Sequence, residues 1–182
     1  MIHFVWGLIL GLVLIPAGVY VCLLSGRAPV SAFDSELPFE DLLTSRALQA
    51  KFAKEPPKPA PVQADEGNLT AGARLYVQHC ALCHGLPVGP VTKIASGMFP
   101  PPPQLFHGPG VTKDPPWETY WKTFYGIRLT GMPAFRNTLS DTEIWQISLL
   151  LAHAQKLPTS VARELNRLEV SKTREVEGQL KK

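Results

Sequence analysis

The chain has 182 residues, enough for one modest domain with extensions, and its formal net charge at pH 7 is +3. The charges are mixed in sign along the chain, so the sequence lacks the basic stripe that nucleic-acid binding requires. Three cysteines are too few for a disulfide framework, and 18 prolines predict long stretches of linker and irregular loop.

The first predicted element is an apolar helix. Residues 4–24 carry no charged side chain, and as a helix they would be about 31 Å long, close to the hydrocarbon thickness of a bilayer. A cleaved signal peptide is the competing interpretation, but its apolar core usually has about 7–15 residues. The small residues at 30–32 that resemble a cleavage site also lie far from the run. Residues 1–27 are therefore predicted to form a transmembrane anchor.

Residues 28–68 are predicted to hold an amphipathic helix and a proline-rich linker. The helix is expected over residues 33–54, with Pro38 in its first turn, acidic residues near its start and lysines near its end. Its apolar face either covers the chain's own domain or the membrane, or docks a partner subunit. Four prolines make residues 55–67 an extended spacer with a reach of about 40 Å.

The string Cys80, Ala81, Leu82, Cys83, His84 carries the functional signal. Two cysteines separated by two residues and followed by histidine are typical of c-type haem attachment, in which both thiols form thioethers and the histidine ligates the iron. A zinc site would need two further ligands at a recurring spacing, and a thioredoxin-like dithiol would need alternating strands and helices. Cys80, Cys83 and His84 are therefore predicted to bind one covalent haem c.

The motif and its surroundings resemble class I c-type cytochromes over about residues 69–157. The resemblance implies a small, all-α, cytochrome c-like domain around a covalently bound haem, preceded by one transmembrane helix. The first helix of the domain is predicted to begin near Asn68 or Thr70. Gly72 and Tyr76 resemble the glycine and the aromatic residue with which the family lets its first and last helices cross closely.

Two later helices complete the predicted domain, and a third follows it. A middle helix is expected over about residues 117–125. Ser140 and Glu143 form a capping box that begins the last helix of the domain, with Trp145 as its aromatic packing residue and Pro158 as its stop. Residues 158–182 are predicted to be a charged, solvated helical extension, since 159–182 carry ten charges in 24 positions.

The resemblance implies that Met132 ligates the iron opposite His84. Met132 lies where the family carries its distal methionine, and a thioether in an irregular loop can reach the iron. His107 is the main rival for this position. Ligation by two histidines would lower the reduction potential. Three further residues carry a side chain that could ligate iron, but Met98 is expected in a loop wall, His79 to point away from the ring and His153 to be a polar residue of the last helix.

Weaker predictions concern the surroundings of the haem. Pro90 resembles the proline whose carbonyl accepts the ring N–H of the proximal histidine in the family. Three residues are candidates for contacting the haem propionates, although packing or exposed roles suit them equally: Tyr125, Arg128 and Trp121.

The predicted function is electron transfer and not catalysis, because protein ligands would fill both axial positions of the iron. The expected partners are the membrane and redox proteins, either as a free carrier or as the cytochrome subunit of a respiratory complex. Haem attachment by this motif places the domain on the periplasmic side of a bacterial inner membrane, although Arg27 after the anchor faintly disfavours an inside N-terminus. A haem enzyme or gas sensor with a labile sixth ligand, and a structural subunit, are the competing functions.

Overall fold

The computed structural model describes residues 2–107 and 113–180, with side chains as far as residue 171. Within these residues the regular structure is entirely helical, which confirms the predicted all-α fold. The α-helices are α1 (Ile2–Leu24), α2 (Glu40–Phe52), α3 (Glu66–His79), α4 (Ala81–His84), α5 (Pro116–Tyr125), α6 (Asp141–Ala152) and α7 (Thr159–Leu180). A short 3-10 helix spans Ala95–Gly97.

The chain divides into two compact units, Met1–Thr44 and Ser45–Lys182, so that the boundary falls inside α2. The first unit contains α1, which is long and apolar enough to cross a membrane and has no buried residue.

α2 begins later than the predicted residue 33. The carboxylate of Asp34 accepts the backbone N–H groups of Val30 and Ser31 at 2.8 and 2.9 Å, and Phe39 has a left-handed φ of 68°. Both features favour a turn over a helix in this segment.

Within the second unit, the proline-rich segment packs against the helices that follow it, which differs from the predicted extended spacer. At the end of α2, just before this segment, the ring of Phe52 packs edge-on against Trp117 and Trp121, with ring centroids 5.6 and 5.3 Å apart. Lys58 forms an ion pair of 3.3 Å with Asp141 at the start of α6. An extended proline-rich chain loses little conformational entropy when it is ordered, so a few such contacts can hold it in place. Two further residues of the segment pack against the core: Ala60 and Val62.

The core of the second unit lies where α3 packs against α6 and α7, and α5 packs against α6. Trp145 is fully buried and stacks on Tyr120 with a centroid separation of 4.4 Å. α3 and α6 cross at Gly72, because a Cβ atom there would lie 2.7 Å from the carbonyl carbon of Gln146. The glycine is therefore required for this close crossing, as its position in the sequence indicates.

The caps of α6 agree with the sequence. The hydroxyl of Ser140 accepts the N–H of Glu143 at 3.3 Å, and the Glu143 carboxylate accepts the N–H of Ser140 at 2.8 Å. These reciprocal bonds satisfy N–H groups at the helix start. At the other end, Nδ1 of His153 donates to the carbonyl of Leu149 at 2.8 Å. α6 thus ends at Ala152, several residues before Pro158.

The first half of α7 belongs to the core, which differs from the predicted solvated extension. Val161 and Leu165 are fully buried, and Arg74 of α3 forms an ion pair of 2.9 Å with Glu164. Val161 and Leu165 are four residues apart and lie on one face of the helix, while the charged residues between them lie on the other faces. The high charge content of the segment is therefore compatible with packing against α3.

Changing Gly72 to Ala is expected to lower the free energy of unfolding by about 2–3 kcal/mol, because the new methyl group would meet backbone atoms of α6. Backbone cannot yield without separating the two helices. The matched control is Gly97→Ala, where a Cβ atom would meet nothing within 4 Å. Guanidinium denaturation of the two full-length variants in detergent compares them, and equal midpoints would contradict the assignment of Gly72 to a close helix crossing.

Candidate functional site

The attachment motif forms one continuous turn at the junction of α3 and α4. The N–H of Cys80 donates to the carbonyl of Tyr76 at 2.8 Å, and the N–H of His84 donates to the carbonyl of Cys80 at 2.9 Å. Neither Cys80 nor Cys83 forms a disulfide, and both are half-buried. The structure therefore brings two thiols and one imidazole, the three groups that the motif singles out, together within a single helical turn.

The imidazole of His84 has a defined tautomer. Its Nδ1 lies 2.8 Å from the carbonyl oxygen of Pro103, which can only accept, so Nδ1 donates and Nε2 keeps its lone pair. Burial lowers the pKa of His84 and the bond to Pro103 opposes that shift. Both the tautomer and the lowered pKa leave Nε2 free to ligate a metal.

The prediction that Pro90 supplies this carbonyl is wrong. Pro90 is exposed, and soon after it the hydroxyl of Thr92 donates to the carbonyl of Leu82 at 2.7 Å. This bond holds that part of the loop against the middle of the attachment turn. The chain returns to the imidazole only at Pro103, after the 3-10 helix.

Gly85 fixes the backbone directly after His84. Its φ of 72° lies in the left-handed region, and the side-chain oxygen of Gln104 occupies the place where a Cβ atom would be. The buried hydroxyl of Tyr76 donates to the carbonyl of Gly85 at 2.7 Å. Burial raises the pKa of Tyr76, so the phenol stays protonated and keeps this bond. Contacts of Tyr76 in α3 and of Gln104 in the following loop therefore fix the backbone next to His84.

Met132 lies in a closed loop after α5. Its carbonyl accepts the N–H of Ile127 at 3.2 Å, and its own N–H donates to the hydroxyl of Thr130 at 3.1 Å. Gly126 has a φ of 69°, and a Cβ atom there would lie 2.8 Å from the Met132 carbonyl oxygen. The Met132 side chain is half-buried. Its backbone position is therefore determined by the end of α5.

One segment contacts both halves of the candidate site. In the loop between α4 and α5, Pro103 accepts from His84, while the terminal methyl group of Met98 packs onto Gly131, next to Met132. The predicted place of Met98 in a loop wall agrees with this contact, although the sequence does not identify Gly131 as its partner. The structure thus connects the histidine turn and the methionine loop through residues 85–107.

The remaining histidines occupy other places. The ring of His79 lies edge-on to Phe135 with centroids 6.1 Å apart, and His153 caps α6. His107 is exposed. Of the residues considered for the propionates, Tyr125 and Arg128 are exposed, whereas the indole N–H of Trp121 is buried without a partner among the described residues.

These residues fit a covalently bound haem. The two thiols lie on one turn, the imidazole of His84 has an unprotonated Nε2, and the thioether of Met132 belongs to a loop whose backbone is fixed. Beside Gly85, the amide nitrogen of Gln104 is buried without a hydrogen-bond partner in the described part of the chain, as expected of a donor that faces a cofactor. Residues 2–107 and 113–171 contain no cluster of His, Cys, Asp and Glu that could hold a metal ion by itself.

Comparison with known proteins gives a matching family and similar solved structures. The family described as cytochrome c oxidase, cbb3-type, subunit III matches residues 67–150, which include the attachment turn, the methionine loop and most of α6. A chain of the Kuenenia stuttgartiensis reducing HAO-like protein complex Kustc0457/Kustc0458 is 25% identical, with a TM-score of 0.46, over 57% of this chain and 53% of that chain. This chain thus spans about half the length of that one. No curated protein matches.

Proposed function

We propose that residues 67–150, which match the family described as cytochrome c oxidase, cbb3-type, subunit III, form a class I c-type cytochrome domain, and that the chain is a membrane-tethered protein that passes single electrons between redox partners. When bound, haem c supplies a one-electron ferric–ferrous couple. The observation that carries the proposal is the histidine turn, in which Nδ1 of His84 donates to Pro103 and Nε2 is left free beside two thiols.

The proposed site would hold one haem. Cys80 and Cys83 would attach it, and His84 and Met132 would ligate its iron. Support for Met132 comes from its fixed loop and from its connection to the histidine turn through Met98 and Pro103. The contacts of His79 and His153 with Phe135 and α6 give both of them structural roles, which favours Met132 further.

Electron transfer is favoured over catalysis because two protein ligands leave the iron no open position for a substrate. Ligand side chains on a fixed backbone also keep nearly the same position in both oxidation states of the iron. His84 meets this condition, because Pro103 and Gly85 fix it. The chain is therefore proposed to be an electron-transfer protein and not itself an enzyme. A haem enzyme or gas sensor with a labile Met132 is the competing function.

The proposed location is the periplasmic side of a bacterial inner membrane, with α1 as a single-pass anchor. Support for the anchor comes from the length and apolar character of α1. The matching family is described as an oxidase subunit, which supports placement in a respiratory complex.

Spectroscopy of salt-washed membranes tests the function. The full-length chain, produced in cells that mature c-type cytochromes, is expected to remain in the membranes and to show a reversible one-electron couple. Carbon monoxide is expected to leave the ferrous spectrum unchanged, because both axial positions are filled. A carbon monoxide adduct in the wild-type protein would favour the enzyme or sensor instead, and a red protein released by salt would contradict the anchor.

A further inference from the structure

The chain between α2 and α3 packs against one face of α5. Phe52, at the end of α2, contacts Trp117 and Trp121 edge-on, with ring centroids 5.6 and 5.3 Å apart. The two tryptophans are four residues apart and therefore lie on the same face of the helix. Residues 52–62 are here called the strap. Among the helices, α5 packs against α6, so the strap is a second support for α5.

Lys58 connects the strap to both α5 and α6. Its ammonium group donates to the hydroxyl of Tyr120 at 3.1 Å and to the carboxylate of Asp141 at 3.3 Å, and the Tyr120 hydroxyl also donates to Asp141. The bond to Tyr120 raises the pKa of Lys58, so the ammonium group stays charged. Because four prolines restrict residues 55–61, the strap loses little conformational entropy when these contacts form.

The loop that carries Met132 is attached to the same helix at both ends. The N–H of Ile127 donates to the Met132 carbonyl at 3.2 Å, and the N–H of Phe135 donates to the carbonyl of Thr123 in α5 at 3.0 Å. Between these two bonds, most of residues 128–134 are exposed. A displacement of α5 would therefore displace the Met132 backbone with it.

We propose that the strap is a positioning element for Met132. By holding α5 in place next to α6, Phe52 and Lys58 keep the methionine loop in the position from which its thioether ligates the iron. The chain that leads from the membrane anchor into the domain thus helps to retain the sixth ligand, although the strap itself contacts neither Met132 nor His84 in the bonds described above. This inference depends on the proposed function, in which Met132 is the distal ligand.

Hydrogen exchange of the full-length protein, with haem attached and held in nanodiscs, tests the proposal. In the double variant Phe52→Ala, Lys58→Ala, the amides of residues 126–135 are expected to exchange at least about tenfold faster than in wild type, because α5 no longer fixes the loop. The rate of cyanide binding to the ferric protein is expected to rise by a similar factor, since cyanide reaches the iron only when Met132 leaves it.

Two variants serve as controls. Phe33→Ala, Lys54→Ala removes the same two kinds of side chain at exposed positions that take no part in the contacts described above, and is expected to change both rates by less than about twofold. Leu165→Ala removes a fully buried side chain of α7, which packs against α3, and so lowers the stability of the domain without removing a strap contact. Both rates are again expected to stay within about twofold of wild type.

Each outcome bears on a different part of the inference. Equal exchange rates in wild type and in the double variant would overturn it, and so would faster exchange with unchanged cyanide binding. An equal effect of Leu165→Ala would show that general stability, and not the strap, sets both rates. If the wild-type ferric protein lacks the absorption band of methionine ligation, the proposed ligand is wrong, while the exchange rates still decide whether the strap fixes the loop.

Two single variants replace the double variant if it does not retain haem. Phe52→Leu and Lys58→Gln each remove one of the two contacts and are each expected to speed exchange of residues 126–135 by about threefold, since separate contacts add approximately. Unchanged exchange in both of them would overturn the proposal.

Discussion

Replacing Cys80 and Cys83 together by alanine is expected to abolish haem staining on a denaturing gel and to remove most of the folded protein. Wild type is expected to stain at the mass of the chain, 20.0 kDa, because thioether bonds survive denaturation. The loss of fold follows from the position of the turn. Cys80 joins α3 to α4, and His84 and Gly85 are held from Tyr76 and Pro103, so the cofactor would link these elements.

The control for this experiment is Cys22→Ala. Cys22 lies in α1, outside the domain, and is exposed. The variant is expected to stain like wild type and to remain in membranes, since neither thioether is changed. Single replacements at Cys80 and at Cys83 complete the series, and each is expected to retain some covalent haem through the other thiol. If the wild-type band does not stain while other c-type cytochromes from the same cells do, the haem assignment is wrong.

Features that depend on local sequence were predictable. The capping box of Ser140 and Glu143 is a contact between residues three apart, so the sequence contains all the information that forms it. The turn from Cys80 to His84 is equally local. Gly72 required the resemblance to known cytochromes, because its contact lies on another helix and only the family pattern connects the two.

Features that depend on the path of a loop were not predictable. Several prolines follow His84, and each offers a carbonyl of the same chemistry, so the choice of Pro103 over Pro90 follows from how the loop folds back. The contact of Met98 with Gly131 has the same origin. Neither contact leaves a periodic pattern in the sequence, since irregular loops have no repeating geometry.

The linker and the last helix show a different limit. The proline-rich segment and the charged segment both resemble solvated chain by composition, yet Ala60 and Val62 pack against the core and Leu165 is fully buried. In both segments a few apolar residues at suitable spacing contact the domain. Composition averages over these residues, whereas burial depends on where each of them lies.

Changing Met132 to alanine is expected to lower the reduction potential markedly, to remove the absorption band that methionine–ferric ligation produces, and to open the iron to carbon monoxide or cyanide. The thioether favours the ferrous state and excludes external ligands, so its removal acts on all three properties. The fold is expected to survive, because Cys80, Cys83 and His84 would still hold the ring. Redox titration and ligand difference spectra of the full-length variant measure these effects.

Met98→Ala and His107→Ala are the controls. Met98 packs onto Gly131, so its removal loosens the methionine loop and is expected to shift the potential slightly while the methionine band remains. His107 is exposed, and its replacement is expected to change neither property. If the Met132 variant keeps the wild-type spectrum and the His107 variant loses it, Met132 is not the ligand. The protein would then be a carrier with two histidine ligands and a lower potential, since imidazole stabilises the ferric state more than a thioether does.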